Sequence, residues 1–155
     1  MDTNEHSGPA RAPWHLWLVG LLGLAWNAFG ANDYLQTQLG NVDYIASMTS
    51  GTNVDPATAL AFFQSMPVWA DALWALGVWG SVLGSVLLLM RSRHAVSAFI
   101  ASLVGLAGST IYQQTMEKPE WLGGQPHLLM SLMIWAALLA QLYYAWAMRR
   151  RGVLR

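Results

Sequence analysis

The chain has 155 residues and no net formal charge, with 55% of residues hydrophobic and only 10% charged. A water-soluble domain carries roughly a quarter charged residues, because each surface helix needs a polar face, so this balance excludes an ordinary soluble fold. It also removes the basic surface that nucleic acid would require. The absence of cysteine removes disulfide frameworks, thiolate metal sites and cysteine nucleophiles.

Residues 1–13 are polar, contain two prolines and read as a cytoplasmic tail. From Trp14 to Asn32 no residue is charged, and this run predicts a first span over about 14–36. A signal-peptide reading, with Ala28 and Gly30 before the cut, suits it poorly. Its apolar stretch is long, carries Trp17, Trp26 and Asn27, and follows a single basic residue, Arg11. Three further spans are expected over about 67–90, 94–116 and 126–148, each closed or flanked by arginine on one side. A soluble four-helix bundle would need charged outer stripes, and none of the runs has one. The fold class expected is therefore all-α, a four-transmembrane-helix bundle, followed by a basic cytoplasmic tail at 149–155.

Between the first two spans lies an outer segment of about 38–66. Asp55 before Pro56 has the pattern of a helix N-cap followed by proline at the first helical position, so residues 56–64 are expected to form a short outer-surface helix. Phe62 and Phe63 would turn toward lipid or the bundle.

Basic residues set the orientation. Arg11, Arg91, Arg93, Arg149, Arg150, Arg151 and Arg155 fall on one side of the spans and only Lys118 on the other, so both ends are expected in the cytoplasm.

The two hairpins also echo each other. Gly30, Tyr34, Gln36 and Thr37 recur at the same spacing as Gly108, Tyr112, Gln114 and Thr115, and Pro67 or Pro126 opens each returning helix. The echo would be a parallel repeat about the membrane normal, with both tyrosines at the outer rim.

Small residues at helical spacing favour close helix contact in lipid. Gly77, Gly80, Ser81, Gly84 and Ser85 form such a stripe, matched by Gly105 with Ala101 and Ser109, and by Gly20 and Gly23 with Asn27 and Gly30. These stripes are expected to face one another, or else to bind a second copy or another membrane protein. Of the nine tryptophans, Trp14, Trp17, Trp69, Trp121 and Trp146 fit the headgroup level, while Trp26, Trp74, Trp79 and Trp135 lie deeper, where packing or stacking on a sugar is expected.

Polar side chains in hydrocarbon must be bonded, so Asn27 and Gln141 should face inward, as register-fixing contacts or as ligand contacts. Asp33 and Asp71 lie near outer helix ends, where Asp71 also complements the helix dipole. With Tyr34, Trp69 and His127 they and Asn27 make up a candidate polar or ligand site. The histidines, His6, His15, His94 and His127, show no metal-ligand spacing, and no nucleophile with a base, phosphate loop or carboxylate pair is present. Neither a metal, a cofactor nor an enzymatic activity is expected.

The strings WNAFGANDY (Trp26 to Tyr34), MPVW (Met66 to Trp69) and GVWGSVLGSVLLLMR (Gly77 to Arg91) resemble those of a family of small four-pass inner-membrane proteins of Gram-negative bacteria. The likeness runs from Trp14 to Arg155. It implies a bacterial inner-membrane location, and through the label "sugar transporter" borne by some members it implies solute handling; it brings no functional residues to transfer. The expected function is a non-enzymatic accessory or structural membrane component, with an oligomeric transporter of small solutes such as sugars as the alternative.

Overall fold

The computed structural model describes residues 11–117, 119, 121 and 125–155. Residues 1–10, with His6, and Lys118 lie outside the described residues. The described chain is all-helical: α1 (Trp14–Gln38), α2 (Val42–Met48), α3 (Pro56–Gln64), α4 (Val68–Leu89), α5 (Ala95–Thr115) and α6 (Gln125–Arg150). By length and composition α4, α5 and α6 can each cross a membrane. At 1.5 Å per residue α1 is also about 37 Å long, but Trp14, His15 and Asn27 lower its mean hydropathy and it falls outside that set of three.

Local chemistry sets the helix ends. Gly40, in the left-handed region at φ 69°, terminates α1. Its N–H donates to Thr37 O at 3.1 Å and the Asn41 N–H donates to Gln36 O at 3.0 Å, the paired bonds of a Schellman cap. Asn41 then caps α2 by accepting from the Tyr44 N–H at 3.1 Å. The helix at 56–64 is present with its expected cap: Asp55 accepts from both the backbone N–H and the hydroxyl of Thr58 at 2.9 Å. The preceding α2 is an element the sequence reading lacks, although the Gly40–Asn41 pair, a helix stop followed directly by a helix start, is its signal.

The tightest pair is the α4–α5 hairpin, α1 lies along α4, and α6 leans on α5. Glycine makes the hairpin possible. A Cβ at Gly80 would stand 2.9 Å from the backbone nitrogen of Ser102, and one at Gly77 would stand 3.2 Å from that of Leu106. At Gly105 it would collide with the backbone of Gly77. The small stripes of α4 and α5 are thus consumed within the chain, backbone against backbone.

The apolar core occupies one half of the bundle. Leu16, Leu88, Ala95, Val96, Phe99, Leu138, Ala145 and Met148 are buried together there, with Val153 and Leu154 folded back upon them. Residues beyond α6 are therefore part of the packing. Gly152 (φ 69°) reverses the chain, and Arg155 pairs with the α4–α5 turn by Arg155 N–H to Arg91 O and Arg93 N–H to Arg155 O, both 2.7 Å. The turn residue Arg91 is itself left-handed at φ 59°, a conformation costing about 1 kcal/mol for a residue with a side chain; its Nε donates to Val153 O at 3.2 Å. Arg11, Arg91, Arg93 and the α6 arginines share this end.

At the other end α2 and α3 pack on each other through Ile45, Ala59 and Leu60. Phe62 and Phe63 turn inward to an aromatic cluster: Phe62 meets Trp121 at 5.5 Å, Phe63 meets Trp74 at 6.1 Å, and Tyr34 meets Trp74 edge-on at 4.9 Å. Tyr112 meets Trp69 in the same manner at 5.1 Å. Both tyrosines of the internal echo thus rest edge-on against a tryptophan of α4. Trp79, expected to be packed, is 43% exposed on the outer face of α4.

Outward surfaces are apolar. Along α6 alone, Leu128, Leu129, Leu132, Met133, Leu139, Tyr143 and Trp146 are exposed, far more than a water-soluble monomer tolerates. The chain is a membrane protein by this measure.

Replacing Gly80 by Leu would force α4 and α5 apart. Overpacking of this kind costs about 1–3 kcal/mol, so the variant should unfold at lower temperature in detergent than the parent; an unchanged midpoint would show that the hairpin contact is dispensable.

Candidate functional site

The half of the bundle opposite the apolar core is hollow. A cavity of about 300 Å³ lies among α1, α4, α5 and α6, with Met48 of α2 at its edge. Its shape follows from the packing: α6 meets α1 closely only toward the basic end, and residues 126–134 are exposed or half-exposed, so the two helices diverge toward the α2–α3 end.

A buried polar knot closes the narrow end. The Asn27 Nδ2 lies 2.8 Å from Gln141 Oε1, 2.9 Å from Ser85 Oγ and 3.1 Å from Ser81 O, and Ser85 Oγ lies 3.2 Å from Gln141 Oε1. Two amide protons serve three acceptors, while the Ser85 hydroxyl proton goes to Gln141. The amide orientations follow from chemistry. Ser81 O can only accept, which puts the Asn27 nitrogen on that side, and Gln141 must then present oxygen to it. Asn27 and Gln141 are each only 7% exposed, so an unbonded amide here would carry its full desolvation cost. Gly23 makes room: a Cβ there would sit 2.8 Å from Gln141 Oε1. Below the knot, His15 Nδ1 and the Tyr144 hydroxyl form a second α1–α6 bond at 2.5 Å.

Above the knot the wall mixes hydroxyl and aromatic groups. Ser81, Ser102, Ser109 and Thr110 line it with Trp26, Phe29, Trp74, Leu106 and Ile134, and Asp33, Gln113 and His127 stand nearer the wide end. Asp33 Oδ1 accepts from the Tyr44 hydroxyl at 3.3 Å. Burial, and the Asp33 carboxylate beside it, push the Tyr44 phenol above its ordinary value, because both oppose a phenolate there.

The sequence-derived candidates divide into two groups. Asn27, Asp33 and His127 share the cavity. Tyr34, Asp71 and Trp69 do not line it: Asp71 Oδ1 accepts from Gln38 Nε2 at 2.5 Å with Tyr34 beside it, and Trp69 is 57% exposed against Tyr112. Tyr34 and Asp71 brace the end of α1 on the start of α4, and Trp69 braces that start on the end of α5. What sequence reasoning missed are the cavity hydroxyls Ser102, Thr110 and Ser131; their signal is the recurrence of Ser and Thr along the same small-residue faces that were read as packing surface alone.

Among the described residues no group of three or more His, Asp and Glu side chains is placed to hold a metal ion. The arrangement defines a class, a helical membrane protein with a polar-floored cavity between its long helices. No protein-family model matches the chain, and no curated protein or solved structure matches it either.

Replacing Asn27 by Leu removes the amide that donates to Ser85 and Gln141. The expected loss is about 1–2 kcal/mol of stability in detergent, with Asn27→Leu and Gln141→Leu together costing less than the sum of the two single changes. Strict additivity would mean the two amides do not act as a unit.

Proposed function

We propose that the chain is a four-pass, non-enzymatic protein of a bacterial inner membrane, with both ends cytoplasmic, that admits a small solute into its cavity from the outer side. The single observation carrying this reading is the cavity itself. Membrane helices without a ligand to accommodate close upon one another, whereas here α1 and α6 are joined at one end and held apart at the other around buried polar groups. In this reading α1 is the fourth span, its lower hydropathy reflecting the groups it turns to the cavity and to α6. The positive-inside rule supports the orientation, with the arginines at one end of the bundle and Asp33, Asp43, Asp55 and Asp71 at the other. The α2–α3 segment then covers the outer mouth, and the likeness to small four-pass inner-membrane proteins, some labelled as sugar transporters, agrees with a solute role.

An accessory role through the glycine stripes has less support, since those stripes are spent on the α4–α5 contact.

The absence of cysteine makes the test direct. Single replacements Thr52→Cys and Ser131→Cys should react in intact cells with the membrane-impermeant reagent methanethiosulfonate ethyltrimethylammonium, and His94→Cys only after lysis. Protection of Cys at 131 with labelling at 52 would show that the cavity is closed to outside solutes; labelling at 94 in intact cells would overturn the orientation.

A further inference from the structure

Most hydroxyls of the cavity wall are committed in one direction. Ser81 donates its hydroxyl proton to Val78 O at 2.8 Å, Ser109 to Gly105 O at 2.9 Å, Thr110 to Leu106 O at 2.7 Å, and Ser102 to Gly77 O. Each proton is committed to backbone, so these side chains can offer an occupant lone pairs only. Asn27 is in the same state. Both of its amide protons go to α4 and α6, and its Oδ1, which accepts no bond from the described residues, is the group it has left for the cavity. This is a 7%-exposed polar side chain with an unused acceptor.

Charge points the same way. Among the described residues no Lys or Arg lines the cavity, and Asp33 brings a carboxylate of which only Oδ1 is engaged by them. Asp33 lies six residues along α1 from Asn27, a rise of about 9 Å at 1.5 Å per residue, so a carboxylate near the mouth and an amide oxygen at the floor bracket the space. Trp26, Phe29 and Trp74 supply aromatic surface between them. Donors do remain, on the two indoles and on Gln113, His127 and Ser131, but none of these carries a fixed positive charge.

From this balance we infer that the cavity takes an organic ammonium ion: a protonated amine on an apolar or aromatic body, its N–H groups directed to Asp33 and the hydroxyl and amide oxygens, its body against the tryptophans. A neutral polyol would leave the Asp33 carboxylate without a charged partner, and anions are opposed by it. The inference rests on the reading of the cavity as a solute site and gives that site its ligand class.

The test is a titration of the full chain in lipid nanodiscs, followed by tryptophan fluorescence and calorimetry, with four probes: 2-phenylethylammonium, its neutral counterpart 2-phenylethanol, its anionic counterpart phenylacetate, and glucose. The ammonium is expected to bind at least tenfold more tightly than the other three, and Asp33→Asn to lower its affinity at least tenfold while gel-filtration behaviour is kept. The comparison among probes on the unaltered chain stands even if that variant fails to fold. Equal or tighter binding of 2-phenylethanol or glucose, or ammonium binding indifferent to a folded Asp33→Asn chain, would overturn the ligand class and leave the solute site standing. Binding of none of the four would overturn both.

Discussion

An amide placed in an apolar bundle has no water to fall back on, so every bond it makes must come from protein. The Asn27 nitrogen meets that constraint by reaching α4 and α6 at once, and the rest of the bundle is arranged around it. Gly23 is glycine because Gln141 must come close; Ser85 supplies the hydroxyl that completes the set; α6 is drawn to α1 at this level and departs from it above. Without the knot, α1 would hold α6 only at its basic end, through His15 and the apolar core.

The two halves of the bundle solve different problems. Toward the arginine end, aliphatic side chains and the returning residues Val153 and Leu154 fill the space, and the left-handed Arg91 is held by bonds to that same returning strand. Toward the carboxylate end, aromatic rings from α1, α3 and α4 and Trp121 pack on one another, and Trp74 joins that cluster to the wall of the space left unfilled. Glycine contact between α4 and α5 runs through both halves and supplies the rigid wall against which each is built.

Helix existence was legible because it depends on local pattern. Uncharged runs of spanning length, prolines at helix starts and Asp55 before Pro56 located five of the helices, while α2 escaped because seven residues give no period, only the Gly40–Asn41 signal. Inward placement of Asn27 and Gln141 was also legible, from the cost of an unbonded amide. Their mutual contact was not, because a residue's depth in one helix does not say which neighbour stands at the same level. Asp71 and Tyr34 looked like partners of Asn27 from rank order along the chain alone, yet Tyr34, two turns beyond Asn27 on nearly the same face of α1, is taken up by the Trp74 ring, and Asp71 by Gln38. The fold-back of Val153 and Leu154 was hidden by the arginines around them, whose solvent preference dominates any reading of composition.

The divergence of α6 from α1 has a dynamic corollary. Opening free energy within a folded protein follows local burial, and the first nine or so residues of α6 bury little while its last two turns are locked into the core. In hydrocarbon, however, its backbone bonds have no water to open to, so the loosely packed stretch moves by tilting as a rigid cantilever about its arginine end rather than by fraying.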